Sequence, residues 1–557
     1  MSIKNVGFLD KKYYIFGHEV YGAGIAENEL FENIIKNKNI EKIKIINTAQ
    51  TFYESVNKRF LNQQSYDTSK VEFIDKQDLF YKQNKIDIDI LHDTAYDFLK
   101  NIIFRELYTK NKPPYTYTMH CASMPNFIYD TYFIQLFSSF RPYDSLICTS
   151  NSLKKVITNY FEILSEKLYE KYNIKINYNG QMNVIPLGVD TSKFKPLDKN
   201  DCRDKMSIRK DAFVILYYGR ISAISKADIL PLITVIKRLT DKNNKFICLY
   251  ICGYDEQSPI NINAIKNKIK SLHLEENVFF LDNNIDKSIM YNMSDCFVSP
   301  IDNIQETFGI TPIEAMACGI PQIVSDWDGY RDTVVDGKTG FRIPSYWCKC
   351  DEDISCNPFL EDHGLGNPMS ISHYSLAESV ALDLDLMEKS FQILINNKNL
   401  RIKMSYESRN RAVEHYDWLV IINKYIDLWE DLIYTKKKYS DNKDSSNLIF
   451  KNDYYKAFSH YATVTLDLKS VLEITKEGIE ILNGSKEWIK IYKWQDQILH
   501  LDICKNILNM LKLSPNTICS FKILNKNYDA VYRSAMYLLK HGYVRIKELR
   551  SIGKCNM

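Results

Sequence analysis

Short apolar runs separated by longer mixed stretches set the rhythm of this chain. Lys12–Phe16 (KYYIF), Lys44–Asn47, Val71–Ile74, Ile88–His92, Tyr115–Met119, Leu146–Thr149 and Val184–Pro186 have the length and the β-branched or aromatic content of buried strands. Glycines Gly17, Gly22 and Gly24 follow the first of them and lead into a helix expected over about Ile25–Asn37. A long helix is expected over Ser152–Tyr172, with Ser150 or Asn151 as its cap. A second series of the same kind starts at Phe213–Tyr218. It continues through a helix near Ala227–Leu239 and strands at Phe246–Cys252, Val278–Leu281, Cys296–Pro300 and Pro321–Ser325. Strand–helix alternation at this spacing predicts an α/β fold: two doubly wound parallel sheets, each with helices on both faces and with ligands at the carboxyl ends of its strands.

Helices are then expected over Ser375–Asn396 and Arg401–Tyr416, followed by the amphipathic Trp418–Trp429. Residues 436–453 are polar and charged and read as a linker. Residues 454–557 form a separate, small and mostly helical domain, winged-helix-like in outline, with Gly542 at a helix C-terminus. Its basic residues raise nucleic acid as a ligand, but an interaction or dimerisation module is the favoured reading.

Composition changes this picture little. The chain has 557 residues, 45% of them hydrophobic and 25% charged, with a net charge of +3. That is ordinary for a globular protein and makes no whole-chain case for nucleic acid or membrane. No apolar run reaches the length of a membrane span, and the polar start does not look like a secretory signal, so a cytoplasmic location is expected. The 13 cysteines are scattered and fit reduced thiols. Cys348, Cys350, Cys356 and His363 offer a Cys3His set for zinc, but the C-x-C spacing is poor, and a loop of free thiols is the stronger reading.

The chemistry concentrates in Gln305–Asp326. Glu306 and Glu314 stand with seven residues between them. Thr311 is the expected N-cap of a helix with Pro312 at its first position and Glu314 in its first turn; Gly319 and Pro321 end it. Backbone N–H groups at Phe308, Gly309 and Ile310 are placed to meet phosphate or sugar oxygens, and Gly309 permits close approach. Acids also decorate helix starts with no other role. Arg220 and Lys226 share a loop after a strand, where two fixed cations suit a departing diphosphate without a metal; a solvated basic loop is the bland alternative. His120 follows Tyr115–Met119 at a strand's carboxyl end. A lone histidine is more often structural, but this position favours function, and His92-Asp93 at the end of the preceding strand is a lower-ranked rival.

E-x7-E followed by AMACGIPQIVSD, with GRISAISKAD upstream and DGKTGFRIP at Asp336–Pro344, resembles the signature of retaining, nucleotide-sugar-dependent glycosyltransferases of the GT-B fold, family 4. The resemblance spans roughly residues 10–435 and is strongest in its second half. It implies two Rossmann-like domains facing a cleft: an acceptor-side domain over 1–195, a nucleotide-sugar domain over 196–400, and helices over 401–435 that cross back to the first. Pro186–Pro196 looks like the family's interdomain linker. By the same resemblance Glu306 holds the sugar, Glu314 the ribose, Arg220 and Lys226 the diphosphate, and His120 approaches the sugar from the other domain. The loop with Gly22 and Gly24 faces the acceptor and the diphosphate. One departure is visible: five residues separate Arg220 from Lys226, where four are usual. The implied activity is transfer of a sugar from a nucleoside diphosphate to a glycan, lipid or protein acceptor with retention, needing no cofactor. Contact with the inner membrane face or a second copy is compatible with it. An epimerase or phosphorylase on the same fold, or a sugar-sensing regulator with a nucleic-acid-binding tail, stay open as alternatives.

Overall fold

The computed structural model describes residues 3–9, 22–47, 68–75, 79, 85–93, 98–123, 132–137, 140–255, 259–356, 360, 369–439, 453–488 and 499–548. The chain divides into two compact units, residues 1–76 with 84–449, and residues 77–83 with 450–557.

The larger unit carries two parallel sheets. The first runs over β1 (Ile3–Leu9), β2 (Ile40–Asn47), β3 (Val71–Asp75), β4 (Ile90–Asp93), β5 (Tyr115–Met119), β6 (Ser145–Cys148) and β7 (Gln181–Val184), in the order β3-β2-β1-β4-β5-β6-β7. The second has β8 (Phe213–Tyr218), β9 (Ile247–Cys252), β10 (Val278–Leu281), β11 (Cys296–Ser299), β12 (Gln322–Ser325) and β13 (Gly340–Ile343), in the order β10-β9-β8-β11-β12-β13. Every neighbouring pair in both sheets is parallel. Two doubly wound sheets were the expectation, and the strand series 115–119, 213–218 and 278–281 fall where the apolar runs put them.

The expected strand at Lys12–Phe16 lies outside the described residues; the described strand that heads the first sheet is Ile3–Leu9. Its Lys4, Asn5 and Gly7 disguise it, yet it is central, held between β2 and β4. The single helix expected over 375–396 is two helices, Met369–Glu378 and Leu384–Asn396, separated by β15 (Val380–Leu382). That strand pairs antiparallel with β14 (Ser345–Trp347), a long-range partner that local periodicity does not carry. A further helix spans Lys398–Arg411.

The helix Trp418–Lys438 packs on the first sheet and fills much of its core through Ile421, Ile422, Tyr425, Ile426, Trp429 and Leu432. This crossing back was implied by the resemblance. Its polar ring atoms are satisfied inside the core: Trp429 Nε1 donates to Thr116 Oγ1 at 3.1 Å, and Tyr425 Oη lies 2.9 Å from Thr118 Oγ1. Where the chain passes between the sheets, the segment after β7 and the π-turn Ala412–Tyr416 run side by side. Val189 N–H donates to Tyr416 O at 2.8 Å, Thr191 Oγ1 donates to the Asp417 carboxylate, and Gly188 lies flat against the Trp418 ring. Among the described residues no helix is long and apolar enough to cross a membrane.

The smaller unit holds a three-stranded antiparallel sheet, ordered β17 (Asn516–Thr517), β16 (Val471–Ile474), β18 (Val544–Glu548), under helices Lys476–Leu482, Leu501–Leu513 and Tyr528–Lys540. The mostly helical expectation thus gains a sheet. Gly542 takes the left-handed conformation, φ +73°, one residue beyond the last helix's C-cap, and Ile507, Leu508, Phe521 and Leu538 form the core. The helix Trp418–Lys438 runs into the expected linker; residues 440–452 lie outside the described ones.

His92 is a core residue. Its Nδ1 lies 2.8 Å from Thr116 Oγ1, and Phe8, Tyr425 and Trp429 surround the ring. Burial, and after it the nearby His120, lower its pKa from 6.5 to about 3. The folded protein therefore keeps this ring neutral where the unfolded chain takes up a proton. The resulting stability is complete above pH 6.5 and is lost as pH falls from there toward 3, by at most about 1.4 kcal/mol per pH unit. Urea midpoints measured at pH 7 and pH 5 should fall with pH in the native chain and fall less in His92→Phe; equal slopes would show that His92 does not titrate this way.

Candidate active site

The parallel β8 and β11 are neighbours, so the loops leaving their carboxyl ends are too. The loop after β8 brings Arg220 and Lys226, and the loop after β11 brings Glu306. Lys226 Nζ and Glu306 Oε2 form an ion pair, with only 11% and 16% of the two side chains exposed. The second oxygen, Glu306 Oε1, accepts from the backbone N–H groups of Thr307 and Phe308, both at 3.2 Å. Burial works to raise the Glu306 pKa, but Lys226, the Phe308 N–H and Arg220 outweigh it and hold the carboxyl below its usual range. Asn303 ties the two loops together through its donation to the Ile224 carbonyl. Arg220 Nη2 donates to Ser225 O at 3.3 Å, which fixes the guanidinium along the same loop. The extra residue between Arg220 and Lys226 therefore does not carry Lys226 away from Glu306.

The turn after Glu306 is made by Gly309, φ +87°, which occupies the N-cap position of the helix Ile310–Ala317. A Cβ there would sit 2.2 Å from the Tyr330 ring. Thr311 was the expected cap and is instead the second helical residue, with Pro312 third; Glu314 falls in the second turn rather than the first. The glycine takes the cap because only it tolerates this φ with Tyr330 so close. Of the three N–H groups expected to meet a ligand, that of Phe308 is engaged by Glu306, and Gly309 and Ile310 stand at the helix start.

Glu314 is buried. It accepts from Tyr291 Oη at 2.7 Å and pairs with Lys287 Nζ at 3.1 Å. Lys287 lies over the Tyr218 ring at 5.0 Å, and burial, which would lower its pKa, is overcome by Glu314 and Tyr218, so the ammonium is stabilised. Sequence reasoning missed Lys287 and Tyr291. Their signal is an i, i+4 pair at the start of the helix Lys287–Met293, just past the carboxyl end of β10.

The first sheet meets this site at the ends of β5 and β6. His120 O accepts from Thr307 Oγ1 at 2.8 Å, and Ser150 Oγ, the cap of the helix Asn151–Tyr172, donates to Thr307 O at 2.7 Å. The His120 ring is buried, with Nε2 3.7 Å from Glu27 Oε1, and burial lowers its pKa to about 4, so the ring is neutral at pH 7. Glu27 lies on the helix Gly22–Lys36 that Gly22 and Gly24 open, and it was not singled out in the sequence. Thus the structure brings His120, Arg220, Lys226, Glu306, Phe308, Gly309 and Ile310 to one place, with Glu314 on the helix behind. Gly22 and Gly24 lie at the start of the helix that carries Glu27.

Cys348, Cys350 and Cys356 are exposed free thiols, and His363 lies outside the described residues. Among the described residues no three His, Cys, Asp or Glu side chains are placed to hold a metal.

Residues 198–354 match the family described as glycosyl transferases group 1. The chain is 27% identical over 192 residues to the D-inositol 3-phosphate glycosyltransferase of Actinosynnema mirum, a match covering 33% of this chain and 46% of the relative. It is 26% identical over 277 residues to the alpha-monoglucosyldiacylglycerol synthase of Acholeplasma laidlawii, covering 46% of this chain and 64% of the relative. The match thus spans about half the length of these relatives. Among solved structures, a glycosyltransferase from Rickettsia africae superposes with TM-score 0.51 at 17% identity, over 78% of this chain and 99% of that one. Anabaena HepE in complex with UDP-glucose does so with TM-score 0.50 at 14% identity, over 77% and 99%. These likenesses show the GT-B fold.

Replacing Gly309 by Ala should cost on the order of 1–3 kcal/mol, since the alanine meets both a disfavoured φ and the Tyr330 ring. Chemical unfolding measures it; an unchanged midpoint would mean the turn relaxes freely.

Proposed function

We propose that this chain, whose residues 198–354 match the group 1 glycosyl transferases, moves a sugar from a nucleoside-diphosphate sugar to a glycan or lipid acceptor with retention at the anomeric carbon. The observation that carries the reading is the Lys226–Glu306 pair beside Arg220 at the carboxyl ends of β8 and β11. A cation held by a carboxylate, with a second cation along the same loop, suits a ligand whose sugar and diphosphate lie side by side. The matched relatives named for glycosyl transfer, and the UDP-glucose in HepE, support the same reading.

The proposed chemistry follows from charge. The bond between the anomeric carbon and the diphosphate oxygen breaks with its electron pair going to the diphosphate. The acceptor oxygen bonds to the same carbon on the same face, and its proton passes to the departing diphosphate. Arg220 and Lys226 stabilise the charge that grows on the leaving group, and no metal or cofactor is needed for that role. Glu306 accepts hydroxyls of the sugar and is held ionised to do so. Glu314, oriented by Lys287 and Tyr291, takes the ribose. His120, neutral, faces the sugar from the first sheet. A lipid acceptor would place the reaction at the inner membrane face, since the relative from Acholeplasma laidlawii is named for a lipid product.

Incubating the full chain with labelled UDP- and GDP-sugars should release the nucleoside diphosphate, and a chelator should leave the rate unchanged; absence of release with every donor would overturn the reading. Arg220→Ala should cost about 2–4 kcal/mol in the transition state. Arg220→Lys should recover only part of this, because the planar fork is lost. Glu306→Ala should remove most turnover, and a near-normal rate would end the sugar-holding role.

A further inference from the structure

The loop after β12, Asp326–Gly329, forms a third wall of the same site, and no role above uses it. Gly329 presses on the Glu306 loop: a Cβ there would lie 2.4 Å from Thr307 O and 2.6 Å from Phe308 Cα. Trp327 Nε1 donates to Asn303 O at 3.0 Å, and Asn303 is the residue that bonds both the Ile224 carbonyl and, at 2.7 Å, the Gln305 N–H. From the first sheet's side, Ser152 Oγ donates to Asp328 O at 2.6 Å. The turn is therefore fixed against the loops of Lys226 and Glu306.

Asp328 sits in it with φ +42°, a conformation that glycine adopts without strain and an aspartate does not need for its own sake. One oxygen, Oδ1, accepts from Tyr330 N–H at 3.0 Å. The other, Oδ2, is buried and has no hydrogen-bond partner. An orphaned buried oxygen on a strained residue is a cost that folding alone does not explain. Burial raises the carboxyl well above its ordinary pKa, and Glu306 adds to this, which favours the protonated form. The Asp328 and Glu306 carboxyls thus sit on adjoining loops, the pKa of the first raised and that of the second lowered by its surroundings.

We propose that Asp328 is a further sugar-binding residue, whose free carboxyl oxygen takes a hydroxyl of the transferred sugar. The inference rests on the glycosyltransferase reading. It makes Asp328 a determinant of donor choice: a sugar without that hydroxyl leaves the carboxyl unpaired and is rejected.

The test is calorimetric titration of the full chain with UDP and GDP, and with UDP-glucose and GDP-mannose. Asp328→Gly should keep or raise Tm, because the strained φ is relieved. It should bind the bare nucleotide with unchanged Kd and bind the corresponding nucleotide sugar on the order of 10- to 100-fold more weakly than the native chain. Asp328→Asn, which keeps a donor and tolerates this backbone, should recover most of the loss. Equal effects on nucleotide and nucleotide sugar, or no effect on either, would overturn the proposal. So would a lowered Tm with both affinities intact, which would make Asp328 a support for the Tyr330 N–H alone. If the native chain binds none of the four ligands, the glycosyltransferase reading itself falls, a result distinct from all of these.

Discussion

Lys226 and Glu306 are charges held largely out of water, and neither tolerates that without the other. Removing one partner of such a pair leaves an uncompensated buried charge at a cost of roughly 3–5 kcal/mol. The pairing thus constrains everything around it. Two loops that are 80 residues apart in the chain must end at one place, and they do so because β8 and β11 lie side by side and parallel. Parallel neighbours send their following loops out of the same edge, so sheet order sets the chemistry before any side chain is chosen. The Asn303 amide and the Phe308 N–H finish the arrangement by fixing the loop of Lys226 and the second oxygen of Glu306.

The contribution of the first sheet is mostly backbone. Thr307 is gripped from two sides, donating to the His120 carbonyl and accepting from Ser150. The residue after Glu306 is therefore also a meeting point of the two sheets. A change in the spacing of the sheets at this point acts on the Glu306 loop directly. Burial keeps the His120 and His92 rings neutral at pH 7.

The parts legible in the sequence are those written in local pattern. Tyr115–Met119, Phe213–Tyr218 and Val278–Leu281 read to the residue because they are short runs rich in aromatic and β-branched residues. Ser150 read as a cap for the same local reason. Glu306, Arg220 and Lys226 were found as separate groups in loops; their pairing was not legible, since it depends on strand order. Thr311-Pro312 looked like a helix start by composition, whereas the cap is set by the Gly309 backbone and the Tyr330 ring, 21 residues further on. β15 was hidden in a helical pattern because its only justification is β14. β1 was passed over because two polar residues and a glycine interrupt it, although its burial comes from neighbours on either side. Lys287 and Tyr291 escaped notice because their meaning lies in Glu314, more than 20 residues away.

The chain crosses between the sheets twice, and the two passages lie against each other: Val189 on Tyr416, Thr191 on Asp417, Gly188 on Trp418. Arg409 stitches them further by donating to the carbonyls of Thr191 and Phe194. A single connecting strand would let one body swivel about any direction. Two connections bonded side by side act as a door hinge: they leave bending about one line cheap and make twisting or sliding expensive, because either would shear those bonds. Any opening of the cleft is thereby guided along a single arc, and each closure returns Thr307 to the same carbonyl and the same hydroxyl. The registry of the two halves is built into how the polypeptide travels between them.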